Sequence, residues 1–190
     1  LFTKDLFELN GLLALDESKS KGLSGIVLNH IIGQRSLSSQ KYNLYEKYGT
    51  SPPEDVLILL EEERHYNEQI LEDSLRNFLS IEEQKTLKSH EADLIRKNRE
   101  MALGDIARYA ETFISGINKE QKQKVKAIIS GMARRNLDEF PLGVTFQEGG
   151  SSPEVLDLPR DRAIYKDFKL ELRSVLDERQ KEIFDNVKYF

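Results

Sequence analysis

The chain of 190 residues has no cysteine and no tryptophan, only two methionines and five prolines, and no excess of basic charge. Each absence excludes something. Without cysteine there are no disulfides, no thiolate metal sites and no cysteine nucleophile. With 28 Lys and Arg against 33 Asp and Glu the net charge is −5, so no basic surplus holds a phosphate backbone, and nucleic acid is not an expected partner. No apolar run approaches the ~20 residues that cross a bilayer as a helix. The chain begins at Leu1 rather than Met, and the expectation drawn from this, with the lack of cysteine, is an exported, periplasmic protein whose signal peptide has been removed.

What is present is charge and helical periodicity. Charged residues make up 32% of the chain and hydrophobic ones 38%, a composition with much surface to cover and a modest core. The expected fold is all-α: a single domain forming an elongated, curved helical bundle. It divides into an N-terminal helical arm (1–49), two long antiparallel rods (50–138), an irregular loop (139–159) and C-terminal helices (160–190).

Within the arm, Phe2, Leu6, Leu9 and Leu13 predict a helix over 1–15, which the polar run from Asp16 to Gly22 ends. Short helices follow at 24–32 and 38–48, the second closed by Gly49. Thr50-Ser51-Pro52-Pro53-Glu54 reads as a helix start, with Ser51 as cap and Pro52 at the first helical position. The rod it opens runs to about Leu79, roughly 40 Å at 1.5 Å per residue. From Ser80 a heptad rhythm of Leu87, Leu94, Met101, Tyr109 and Phe113 with their neighbours asks for a partner helix. The loop holds Gly143, Gly149, Gly150 and Pro153 among Leu142, Val144, Phe146, Val155 and Leu156. Loops of that length in compact domains tend to be functional, so these five apolar residues are the candidate partner-binding set. Val144-Thr145-Phe146 has the composition of a short strand.

One phrase recurs: Leu79-Ser80-Ile81-Glu82-Glu83-Gln84-Lys85, Ile117-Asn118-Lys119-Glu120-Gln121-Lys122 and Leu176-Asp177-Glu178-Arg179-Gln180-Lys181. Ser80, Asn118 and Asp177 are capping side chains, and three places on stand Glu83, Gln121 and Gln180, the capping-box spacing. With Ser51, these are the expected helix caps.

Glu62-Glu63-Arg64-His65 holds a Glu-x-x-His spacing, but a di-iron bundle needs it twice, and His90 has Leu87 three places before it. There is no Gly-x-Ser-x-Gly and no glycine-rich loop followed by Lys. The basic stretch of Lys119, Lys122, Lys124 and Lys126 is interrupted by Glu120. No catalytic, metal or cofactor residues are assigned, and the expected mode of action is protein–protein contact, self-association included.

Ile117-Asn118-Lys119-Glu120-Gln121 and Leu176-Asp177-Glu178-Arg179-Gln180 resemble the Leu-Thr-x-x-Gln signature of the Spy/CpxP type of small helical periplasmic proteins, with Asn or Asp in place of Thr. That resemblance implies a periplasmic chaperone or envelope-stress modulator that holds clients on a concave face. In overall character (acidic, helical, free of cysteine, built of long rods) the chain is also similar to the flagellar coiling proteins of spirochaetes. This second resemblance implies a motility role, as a structural subunit sheathing a periplasmic flagellar filament, and it is the function expected first.

Overall fold

The computed structural model describes residues 9–114, 116–146 and 159–186, and among these every regular element is helical, so the fold class is all-α. Helix α1 is described over residues 9–13. It is followed by α2 (Glu17–Tyr48), α3 (Glu54–Phe78), α4 (Ile81–Phe113), α5 (Lys119–Ala133), α6 (Pro159–Ser174) and α7 (Glu178–Asn186). Short 3-10 turns occupy Leu137–Glu139 and Val144–Phe146, so the strand expected at the second is instead a helical turn.

Helix α2 runs unbroken for 32 residues where two short helices and a polar break were expected. The run that looked like a stop is a start. Asp16 sits in extended backbone and its carboxylate accepts the Lys19 N–H at 2.8 Å, capping the new helix. Gly49 ends it at φ 67°, donating its N–H to the Tyr45 carbonyl. Two glycines inside the helix mark close contacts. A Cβ on Gly22 would lie 2.6 Å from the Phe78 ring, and one on Gly33 would lie 2.7 Å from the Asn67 amide. Their entropic cost in a helix is thus offset by closer approach to α3.

Ser51 does not cap α3. The residue in that position is Pro53, which has no side chain to offer, and the helix opens at Glu54. The reason lies in the paired prolines, because a residue followed by proline is pushed out of the α region and Pro52 cannot begin a helix in front of Pro53. Glu54 and Asp55 in the first turn favour the start through the helix dipole.

The contacts divide the chain into two compact units, one within 1–91 and 140–152, the other within 92–139 and 153–190. The rod pairing also differs, for α3 packs chiefly along α2, not along α4. In the first unit α2 and α3 form an antiparallel hairpin, with Gly22 opposite Phe78 and Gly33 opposite Asn67. Leu23, Val27, Leu71, Leu75, Leu79, Leu87 and Leu142 form its core, with Leu9 and Leu13 of α1. Lys19 binds the Glu83 carboxylate at 2.5 Å across the base of the hairpin.

The second unit gathers Leu103, Ala107 and Ala110 of α4 and Ile114 just past its end with Val125 and Met132 of α5, Ile164, Phe168 and Leu172 of α6, Leu176, and Phe184 of α7. Arg99 is fully buried and donates to the Arg135 carbonyl at 2.6 Å, while the Arg135 guanidinium bonds Asp167 and Glu171. The buried stripe of α4 is Leu87, Glu91, Ile95, Arg99, Leu103, Ala107 and Ala110, continued by Ile114 just past its end. Met101, Tyr109 and Phe113, read as inward from their heptad spacing, are 41–53% exposed. Two charged residues hold positions that a hydrophobic pattern passes over.

Candidate protein-contact surface

The seam between α2 and α3 is written in the sequence as alternating steps of four and three. On α2 it runs Leu23, Val27, His30, Gln34, Leu37, Lys41, Leu44, Tyr48, and on α3 Leu57, Leu60, Arg64, Asn67, Leu71. That is the spacing of a coiled-coil core. Its chemistry changes along the pair, because the end near Leu23 and Leu71 is apolar and the middle is polar.

At the boundary sits a buried polar layer. His30 is 3% exposed, and its Nδ1 donates to the Asn67 carbonyl at 3.3 Å while the Asn67 amide donates to the His30 carbonyl at 3.3 Å. Burial holds the His30 imidazole below its ordinary pKa, and the bond to Asn67 offsets this only in part. One turn on, Gln34 is 4% exposed, and neither atom of its amide has a hydrogen-bond partner among the described residues. A buried amide in that condition costs free energy.

Beyond this layer nothing is buried. Every residue from 35 to 70 is described, and none falls in the buried class. Apolar side chains in this stretch face solvent instead: Tyr42, Tyr45, Ile58, Leu59, Tyr66 and Ile70 are 42–67% exposed. A groove of about 320 Å³ follows one flank of the seam here, with Gln34, Ser38, Lys41 and Tyr45 on α2 and Glu54, Ile58 and Glu61 on α3. Arg64 beside Glu61 holds that carboxyl below the usual range, and Lys41 contributes a weaker pull. Arg64 also pairs with Glu68, and His65 lies between Glu61 and Glu68 at 3.6 and 3.4 Å.

No known family model, curated protein or solved structure matches the chain.

The residues expected to bind a partner lie elsewhere. Leu142 and Val144 are 3% and 1% exposed, with Leu142 in the core of the first unit and Phe146 half-buried against it. Leu142 and Val144 cover the hairpin near Leu71 and Leu75 and offer no free surface, so the assignment is corrected for these two. The turn that places them depends on Gly143, whose φ is 87° and whose N–H donates to the buried Glu91 carboxylate at 3.1 Å. Val155 and Leu156 lie outside the described residues.

The recurring phrase places its capping side chains as the spacing predicts. Ser80 Oγ accepts the Glu83 N–H at 3.4 Å, and the Glu83 carboxylate accepts the Ser80 N–H at 2.7 Å. Asn118 and Gln121 reciprocate at 2.9 and 3.0 Å, as do Asp177 and Gln180 at 2.8 and 3.0 Å. The last two boxes are joined, since the Gln121 amide donates to the Gln180 side chain at 2.7 Å and to the Val175 carbonyl at 3.0 Å. These residues fix helix starts and helix neighbours. Among the described residues no group of three or more His, Asp or Glu is arranged to hold a metal ion, and no helix is long and apolar enough to cross a membrane.

The exposed apolar stretch has its own signal in the sequence. It is the run Val56-Leu57-Ile58-Leu59-Leu60, five apolar residues in a row on one helix. One face of a helix cannot bury them all.

Proposed function

We propose that this is a non-enzymatic structural or assembly protein that works through contacts with other proteins, and that the outer half of the α2–α3 hairpin is the surface it uses. The observation behind this reading is the stretch 35–70, where seven large apolar side chains, Tyr48 among them, are exposed and no residue is buried. Surfaces of that kind are rare on proteins that act alone. The setting proposed is the periplasm, as a subunit of a flagellar filament sheath. That setting comes from the chain's acidic, cysteine-free, helical character.

The test separates association from stability. Leu59→Glu with Tyr66→Glu alters exposed positions only, so the expected melting temperature stays within a degree or two while recovery of the protein with filaments or envelope assemblies falls. Even recovery of the unaltered chain from the soluble fraction, with none on filaments or envelope structures, overturns the reading. The alternative is a chaperone or stress modulator of the Spy type, supported by the phrases at Asn118 and Asp177. Absence of any suppression of client aggregation at several-fold excess removes that alternative.

A further inference from the structure

Helix α3 carries two seams, and α2 occupies one of them. The occupied seam is Leu57, Leu60, Arg64, Asn67 and Leu71. At about 100° per residue, a second run with the same steps of four and three lies about a third of a turn round the helix: Leu59, Glu63, Tyr66, Ile70 and Asp73. All five are exposed, with Leu59, Tyr66 and Ile70 at 59%, 67% and 46%. This second seam is about 21 Å long at 1.5 Å per residue, and it faces solvent.

Its charge has one sign. Glu63 and Asp73 stand on the seam itself, and Asp55 and Glu62 stand along one edge, within about 60° of Leu59. All four are exposed, and none is in an ion pair among the described residues. By contrast, Glu61 and Glu68 bind Arg64, and Glu72 binds Arg76. Those two arginines are the only Lys or Arg residues of α3, and both lie about 100° or more from Leu59 round the helix.

We infer that this second seam docks an amphipathic helix of another protein, one whose apolar face is edged by lysine and arginine. The inference deepens the proposed function and rests on its reading of the outer hairpin as a contact surface.

Spacing selects a helix as the occupant. Leu59, Tyr66 and Ile70, at i, i+7 and i+11, lie on one line along α3, which is how one helix meets another laid alongside it. Charge selects the character of that helix. A carboxylate covered by an apolar face loses its water and gains nothing in return, so Glu63, between Leu59 and Tyr66, needs a basic side chain at its own height. Asp55 and Glu62 stand where the flanking charges of paired helices set the choice of partner. The same reasoning excludes two other occupants. An anionic membrane surface is repelled by the four carboxylates, and a second copy of this seam brings only carboxylates to the contact.

The test uses two synthetic helices about three heptads long, alike in carrying Leu at the a and d positions and differing only in Lys or Glu at e and g. In fluorescence anisotropy the whole chain is expected to bind the Lys peptide at least about ten-fold more tightly than the Glu peptide. Glu62→Lys with Glu63→Lys is expected to reverse that order, and Leu59→Ser with Tyr66→Ser to weaken the Lys peptide about ten-fold. Asp138→Lys with Glu182→Lys makes the same change of net charge on exposed acids of the second unit, and is expected to leave binding within about two-fold. Melting is expected to stay as it was in all three variants, because every altered side chain is exposed. Equal binding of the two peptides overturns the inference. An equal loss from Asp138→Lys with Glu182→Lys also overturns it, since attraction to net charge alone is then at work. So does self-association, or binding to phosphatidylserine vesicles, that Leu59→Ser with Tyr66→Ser abolishes. If Glu62→Lys with Glu63→Lys keeps filament association while Leu59→Glu with Tyr66→Glu loses it, the proposed function stands and only the basic partner falls.

Discussion

The two halves of the α2–α3 hairpin share one seam spacing and differ in everything that follows from its content. The inner half holds Leu23, Val27, Leu71 and Leu75, nearly sealed from solvent and covered by Leu142 of the 140–146 segment. The outer half keeps the four-and-three rhythm, yet places Gln34, Lys41 and Arg64 at seam positions and buries no residue beyond Gln34. Periodicity therefore sets where helices touch, while the identity of the residues at the contact sets how much stability the contact yields. A third layer makes the inner half a core; among the described residues the outer half has two helices and no third layer.

The largest expected effect lies in the inner half. Leu75→Ala removes a fully buried side chain on which Gly143 packs, and is expected to cost about 2–5 kcal/mol in chemical denaturation. Leu59→Ala, from the same helix at 59% exposure, is expected to change stability by less than about 0.5 kcal/mol. Equal losses from the two substitutions break the comparison, because they require Leu59 to be packed as Leu75 is.

The helix starts at the two ends of α3 sharpen it further. At the base, Ser80 and Glu83 form a capping box whose carboxylate also binds Lys19. At the tip, Ser51 stands outside a helix whose cap position is filled by Pro53. Ser80→Ala is expected to lower stability by about 1 kcal/mol and Ser51→Ala to leave it unchanged within error, both read from denaturant midpoints. A cost at Ser51 equal to that at Ser80 shows that the tip is held by a cap after all.

How legible these features are in the sequence depends on whether their cause is local. Ser80, Asn118 and Asp177 announce helix starts because a cap needs only a few consecutive residues, and Gly49 announces a stop for the same reason. The continuity of α2 is hidden, since Gly22 and Gly33 look like breaks until Phe78 and Asn67 are brought against them. Glu91 and Arg99 look solvated until Gly143 and the Arg135 carbonyl receive them. Leu142 and Val144 read as partner residues because their loop has no visible fold in the sequence, and the Leu71 and Leu75 side chains against which Leu142 is buried lie more than sixty residues earlier. The apolar run at 56–60 is legible as a helix but not as a surface, for its exposure depends on how many layers pack there, and among the described residues there are only two helices.

The smallest expected effect concerns the boundary between the halves, where His30 is buried and held below its ordinary pKa. In the unfolded chain this imidazole takes up a proton as pH falls through about 6.5, while in the folded chain it resists until a lower pH. The unfolded state then binds more protons, so the stability His30 contributes is present above about pH 6.5 and declines as pH falls toward its folded value. Glu83, whose carboxyl is held low chiefly by its bond to Lys19, adds a separate decline below the ordinary carboxylate range near pH 4.5. Two windows therefore divide the titration. His30→Leu is expected to remove the upper decline and leave the lower one, measured as denaturant midpoint against pH. If the upper decline survives in His30→Leu, protonation of the polar layer is not what loosens the hairpin at its boundary, and the division between its halves is set by packing alone.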